Sequence, residues 1–368
     1  MSRPPSRDVA ALALASLPCA TQPRLATLIE GCGGDPERAL RAVQNGRAAD
    51  VLRAAKAKRA NDVASTWRRE VRIDRSAAQI EDRAPKVWLA DDADYPIKDA
   101  LPGRPAVLLG EGARFDAFDA PRVGIVGTRA ATPQGIADAH EIGAFCARAG
   151  ITVVSGLAIG IDGAAHEGAL DAGGLTVGVV ATGLDVVYPR RHTPLFERVR
   201  AHGVLVSEHG YGVEPLPERF PIRNRIIAAL ADVLVVVEAT LSGGTNATVK
   251  YASDYGRPVY VVPGSRRNPS AAGSNALFRD GATPLLEPGD LLFAFGRLGT
   301  MPGQWQGAAA LPTHPDDAHV LHAFGGDPAT IDDIERAASL PVDRLGRALR
   351  RLEQSGHLQR RQGLWWPT

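Results

Sequence analysis

"ERFPIRNRIIAALADVLVVVEATLSGGTNATVKYA", residues 218–252, decides the architecture of this chain. Its central run, DVLVVVEA (232–239), is continuously apolar, which marks a strand buried on both faces; a strand with one wet face would alternate. A helix-length segment carrying Arg219, Arg223 and Arg225 precedes the run, and the turn Ser242-Gly243-Gly244-Thr245 follows it. Helix, doubly buried strand, tight turn and helix together predict a parallel sheet covered on both sides.

The same pattern repeats outward. RVGIVG (122–127), ITVVSG (151–156), LTVGVVATG (175–183), GVLVSE (203–208) and PVYVVPG (258–264) are short, apolar and β-branched, and helical stretches such as IADAHEIGAFCARAG separate several of them. The fold class expected is α/β, a Rossmann-like doubly wound parallel sheet. Residues 1–80 read as a small all-α domain of the SAM or helix-hairpin kind, with a capped helix start in the break at Gly31–Pro36. The core runs over 81–298, and a Gly-, Pro- and Ala-rich linker over 299–315. Three amphipathic patterns and two short extended pieces around Gly363 make 316–368 a winged helix-turn-helix. In its third helix Leu345, Leu349 and Leu352 share one face and Arg344, Arg347 and Arg351 another, the latter being candidate contacts for duplex DNA.

Composition bounds the function. The 368 residues carry 42 basic and 41 acidic groups for a formal charge of +1, so no global field draws the chain to nucleic acid or to an anionic membrane, and any such binding is local. Only five basic residues are lysine (56, 58, 86, 98 and 250). Cysteines 19, 32 and 146 show neither disulfide nor metal-ligand spacing, so a reducing, cytoplasmic setting with no metal and no cofactor is expected. No apolar run approaches the ~18 residues of a membrane span.

In doubly wound sheets ligands bind outside the carboxyl ends of the strands. The residues there are Gly127-Thr128-Arg129, Ser155-Gly156-Leu157-Ala158, Gly183-Leu184-Asp185, Ser207-Glu208, Ser242-Gly243-Gly244 and Gly264-Ser265. Small residues let backbone N–H groups approach an anion, and the helix N-termini after them favour negative charge. Gly-Thr-Arg is not the three-glycine dinucleotide fingerprint, the second strand ends without a ribose-holding acid, and GxxxxGK[ST] is absent, so hydride transfer and P-loop ATP hydrolysis are disfavoured. Arg129, directly after a buried strand, suits bidentate grip of a phosphate. Arg223 and Arg225, two apart on a helix, face different ways, so one is free for a ligand while the other pins a carboxylate. Asp162 and His166, one turn apart, are read as a helix-capping arrangement and not as an acid/base pair.

Taken in order, GTRAATPQG, VVSGLAIGIDGAAHEGAL, ATGLDVVYP, SEHGYGVEPLPERFPIRNRIIAALADVLVVVEA, SGGTNATVKYA, GRPVYVVPGS and GSNALFRDGA resemble the core of the DNA-processing protein A (DprA/Smf) family. The resemblance implies a non-catalytic protein that binds and protects single-stranded DNA, loads the RecA recombinase onto it during natural transformation, and forms a homodimer through the core. It also implies a basic pocket at the strand ends, whose candidates are Gly127, Thr128, Arg129, Ser155, Gly156, Arg223, Asn224, Arg225, Ser242 and Gly243. Leu241 stands where the family usually has a basic residue, so that phosphate contact is either missing or supplied by Lys250, and Ala181 replaces a common glycine.

Two other readings compete. Ser242-Gly243-Gly244-Thr245 resembles the phosphate-holding turn of nucleoside-monophosphate phosphoribohydrolases of the Lonely-guy kind, although the glutamate that follows it there is missing. The arginines of the winged domain alone suggest a duplex-DNA regulator.

Overall fold

The computed structural model describes residues 5–18, 20–295, 314–324, 329–338, 340–355, 357–361 and 364–367. The chain divides into two compact units, Met1–Leu298 and Gly299–Thr368.

The first unit opens with six helices: α1 (Arg7–Ala15), α2 (Gln22–Gly31), α3 (Pro36–Gln44), α4 (Ala48–Ala54), α5 (Ala60–Glu70) and α6 (Ile73–Arg83). The helix start expected near Gly31–Pro36 is α3, whose cap Asp35 accepts from the N–H groups of Glu37 (2.8 Å) and Arg38 (3.1 Å). Strands β1 (Lys86–Leu89), β2 (Val107–Gly112), β3 (Arg122–Val126), β4 (Thr152–Ser155), β5 (Thr176–Val179), β6 (Val204–Ser207), β7 (Val233–Val236), β8 (Val259–Val261) and β9 (Thr283–Pro284) form one sheet in the order β1-β2-β6-β5-β4-β3-β7-β8-β9. All six apolar runs of the sequence are strands β3 to β8, and every neighbouring pair among them is parallel. Antiparallel β1 and β2 extend one edge.

Helices α7 (Pro133–Arg148), α8 (Ile161–Asp171), α9 (Thr193–His202), α10 (Arg219–Leu230), α11 (Thr245–Asp254) and α12 (Ala272–Arg279) connect the strands, and α13 (Leu291–Ala294) follows β9. The continuous apolar runs follow from two-sided covering. Leu234 and Val236 pack with Ile226, Ile227 and Leu230 of α10, while Val233 and Val235 pack with the cluster of Ile142, Phe145 and Ile161 on the other face. Each fully buried aliphatic side chain contributes roughly 1.5–3 kcal/mol relative to exposure. A third core joins the N-terminal helices to the sheet, Leu12, Leu14, Leu25 and Trp67 sharing it with Leu109, Leu205 and Phe196. Gln22 stitches that junction: its Nε2 donates to the Glu208 carbonyl (3.2 Å) and its Oε1 accepts from the Ala106 N–H (2.9 Å). The helices read as a separate domain over 1–80 are thus continuous with the core that follows.

The second unit comprises α14 (Pro315–Phe324), α15 (Ile331–Ala338), α16 (Val342–Gln354) and the antiparallel hairpin β10 (Leu358–Arg361) and β11 (Leu364–Pro367). Leu345, Leu349 and Leu352 of α16 are buried with Val320, Ile334, Leu358 and Trp365, the winged-helix arrangement expected. The linker read over 299–315 falls, as far as residue 313, outside the described residues, as does Gly363.

Candidate nucleic-acid interface

Strand order reverses at β3, whose neighbours are β4 on one side and β7 on the other. The crevice at this switch point is a cavity of about 670 Å³ at the carboxyl ends of β3 and β7. Three elements meet there: the turn after β3, the start of α10, and the turn leading into α11.

The turn after β3 is held from beneath. The Thr128 N–H donates to the Glu238 carbonyl at 2.7 Å, and a Cβ on Gly127 would lie 2.5 Å from Ile161 Cγ1. Gly160, at φ 87°, sits where a Cβ would lie 2.4 Å from the Thr128 carbonyl oxygen, so only glycine lets α8 start this close to the turn. Arg129 follows, exposed, its guanidinium 5.1 Å from the centre of the Phe220 ring. Phe220 in turn packs against Tyr188 with ring centres 5.3 Å apart. Among the described residues Arg129 forms no ion pair with a carboxylate.

The three consecutive residues Arg223, Asn224 and Arg225 point three ways. Arg223 is 3% exposed and its Nη1 donates to the carbonyls of Gly156 (2.8 Å) and Val179. Burial pulls its pKa down to about 10 against the opposing pull of Asp162. Gly156 is sandwiched between the two charges, since a Cβ there would lie 2.6 Å from both Arg223 Nη2 and Asp162 Oδ2. The Asp162 carboxylate accepts from the Gly156 N–H at 3.1 Å, and burial pushes its pKa up. Asn224 faces the cavity and donates to the Gly244 carbonyl at 3.3 Å, closing the gap between α10 and the turn before α11.

Several expectations change against this geometry. Arg225 leaves the cavity and forms a buried pair with Glu208, because its place on α10 turns it toward the end of β6. Lys250 lies on the exposed side of α11 and pairs with Asp254 at 2.6 Å, so it does not replace the missing cation at Leu241, itself 64% exposed. Ser155 is fully buried, its hydroxyl donating to the Ile125 carbonyl at 2.5 Å. Gly156 and Ser242 also stand outside the lining, which contains Gly127, Thr128, Arg129, Arg223, Asn224 and Gly243. Asp162 is not a helix cap: Gly160 holds that position, and His166 bonds Thr176 Oγ1 at 2.6 Å through Nδ1. The sequence reading missed Tyr188 and Thr240, which line the cavity together with Thr245 of the quoted turn; the hydroxyl beside the glycine turn was the available signal for Thr240. It also missed Arg190 and Arg191, exposed immediately after Tyr188-Pro189 and without a carboxylate partner among the described residues.

In the second unit the basic stripe is internally compensated. Arg344 forks onto Asp316 and Arg351 onto Asp317, while Arg347 pairs with Asp343 at 2.7 Å. The charges assigned to duplex contact are therefore engaged by acids of α14 and of α16 itself.

A family model described as DNA recombination-mediator protein A matches residues 86–296, and one described as DprA winged helix domain matches 306–363. The Smf protein of Escherichia coli is 34% identical over 275 residues, 73% of each chain. The solved structure of DNA processing protein A from Streptococcus pneumoniae superposes with a TM-score of 0.65 at 28% identity, covering 77% of this chain and 96% of that one. DNA processing protein A from Helicobacter pylori, whose structure was determined for its mode of binding single-stranded DNA, superposes at 0.51 with 27% identity over 58% of this chain and 96% of that one. No helix among the described residues is long and apolar enough to cross a membrane.

Proposed function

This chain belongs to the DNA recombination-mediator protein A family, and from that premise we propose that it binds single-stranded DNA in the cleft between β3 and β7. The observation that carries the reading is Arg129: an exposed guanidinium at a strand end, aimed across a crevice and lacking an acidic partner among the described residues. A phosphate supplies that partner. Around it, the starts of α8 and α11 favour negative charge. Tyr188 and Phe220 offer ring faces on which a base stacks without regard to its identity. Buried Arg223 acts through the scaffold, joining the ends of β4 and β5 to α10. The resemblance carries the reading further, to protection of the strand, its delivery to the RecA recombinase during transformation, and pairing of two copies through the core.

Fluorescence anisotropy with matched single- and double-stranded oligonucleotides across a salt titration tests the binding reading. Wild type is expected to prefer single strands, and Arg129→Glu to weaken that binding at least tenfold and flatten its salt dependence. Equal or duplex-favouring binding that ignores Arg129 overturns it. Release of free base from nucleotide monophosphates would support the phosphoribohydrolase reading instead. Recombinase delivery is checked separately, by the rate of RecA filament formation on strands already coated by a single-strand-binding protein.

A further inference from the structure

The basic character of this rim extends beyond the cleft. Four stretches at the carboxyl ends of the strands contain no aspartate or glutamate: 120–137, 186–196, 239–253 and 255–279. The longest, 255–279, holds the loop after β8 with Arg266 and Arg267. Both are exposed, and neither side chain has a hydrogen-bond or ion-pair partner among the described residues. Elsewhere on the same unit exposed arginines are commonly matched: Arg38, Arg53, Arg59, Arg114 and Arg198 each bridge to an acid.

The loop is also built onto the cleft. Glu238, at the end of β7, accepts from Thr128 N–H at its carbonyl (2.7 Å) and from Asn268 Nδ2 at its carboxylate (3.2 Å). Thr132 donates to the same carboxylate through both its N–H (2.8 Å) and its hydroxyl (2.7 Å). Farther along, Gly273 N–H donates to the Ala239 carbonyl (2.7 Å), and the Ala239 N–H donates to Ser274 Oγ (2.8 Å). The Arg129 turn and the Arg266-Arg267 loop are therefore anchored to one buried residue from two sides. β3 and β8 flank β7, two strand spacings or about 10 Å apart, a gap that a single-stranded backbone bridges while staying on the protein.

We propose that a strand held in the cleft runs out over the loop after β8, where Arg266 and Arg267 form a second phosphate grip. The proposal rests on the cleft being the single-strand site, and it makes affinity depend on strand length. A short oligonucleotide occupies the cleft alone; a longer one also reaches the loop.

The test compares wild type, Arg266→Glu/Arg267→Glu and Arg129→Glu by anisotropy, using oligo-dT of about 4 and about 16 nucleotides, the span of known single-strand site sizes, across a salt titration. The double variant is expected to bind the short strand as wild type does, to lose at least tenfold for the long one, and to lower its salt slope by about 1.4, two contacts at about 0.7 each. Arg266→Lys/Arg267→Lys keeps most of the slope. If the double variant binds the long strand with unchanged affinity and slope while Arg129→Glu is impaired, the second grip is refuted and the cleft reading stands. If wild type binds neither strand, or Arg129→Glu binds both normally, both readings fall. Thermal unfolding of the double variant should match wild type, because both positions are exposed.

Discussion

Glu208 and Arg225 form a two-armed ion pair inside the protein: Nη1 lies 3.0 Å from Oε1 and Nη2 lies 2.5 Å from Oε2, with the two side chains 2% and 8% exposed. The Glu208 carbonyl meanwhile accepts from Gln22, so the pair lies where β6, α10 and the N-terminal helices join. Arg225→Ala strands a buried carboxylate and is expected to cost about 3–5 kcal/mol in denaturant unfolding. Full stability with lost DNA affinity would place Arg225 on the ligand after all.

Phe220 separates stacking from charge. It carries Arg129 over its ring and touches Tyr188. Phe220→Leu should lower single-strand affinity by about 1–3 kcal/mol, the worth of one base on an aromatic ring, and leave the salt slope at its wild-type value. A flattened slope would mean that the ring serves chiefly to position Arg129.

Gly156→Ala inserts a methyl group where 2.6 Å separates the Cβ position from both Arg223 and Asp162. Both charges are buried and hydrogen-bonded to the backbone at Gly156, so a loss of roughly 1–3 kcal/mol is expected from overpacking. Calorimetric unfolding reads it, and a neutral result would show that Arg223 is free to swing into the cleft.

His166 makes stability depend on pH. Fully buried beside Thr176, it has a pKa lowered by burial to about 3 from an ordinary 6.5. The folded state therefore resists a proton that the unfolded chain accepts below about pH 6.5. Its contribution is complete above that value and is lost as pH falls toward 3. Urea midpoints should drop between pH 7.5 and 5, and His166→Gln should reduce the drop.

Strands β3 to β7 were legible because burial on both faces removes the polar alternation that confuses helix with strand, and half-buried β8 because its run is equally apolar. β1 and β2, flanking strands joined to the sheet by antiparallel pairing, escaped the reading because the three apolar residues of KVWL stand between Lys86 and Asp91-Asp92 and VLLGEG ends in glycines and an acid. In Arg-Asn-Arg, helical geometry turns residues two apart by about 200°. Sequence therefore predicts divergence, but the direction depends on Glu208, which folding brings alongside. Lys250 is the opposite case, since Asp254 stands four residues on and that pairing was readable locally. The partners of Arg344 and Arg351 lie in another helix, at Asp316 and Asp317, and no spacing rule announces them.

The acid-free loops of the carboxyl rim separate charge without accumulating it. A chain of formal charge +1 exerts little long-range pull as a whole, yet a strand within a Debye length of this rim, about 8 Å at physiological salt, meets a local positive field. Encounter is thus expected to be selective in orientation before any contact forms. Approach to the acid-matched faces is unrewarded, while approach to the rim is guided, and the association rate should fall with ionic strength although the net charge predicts almost no such dependence.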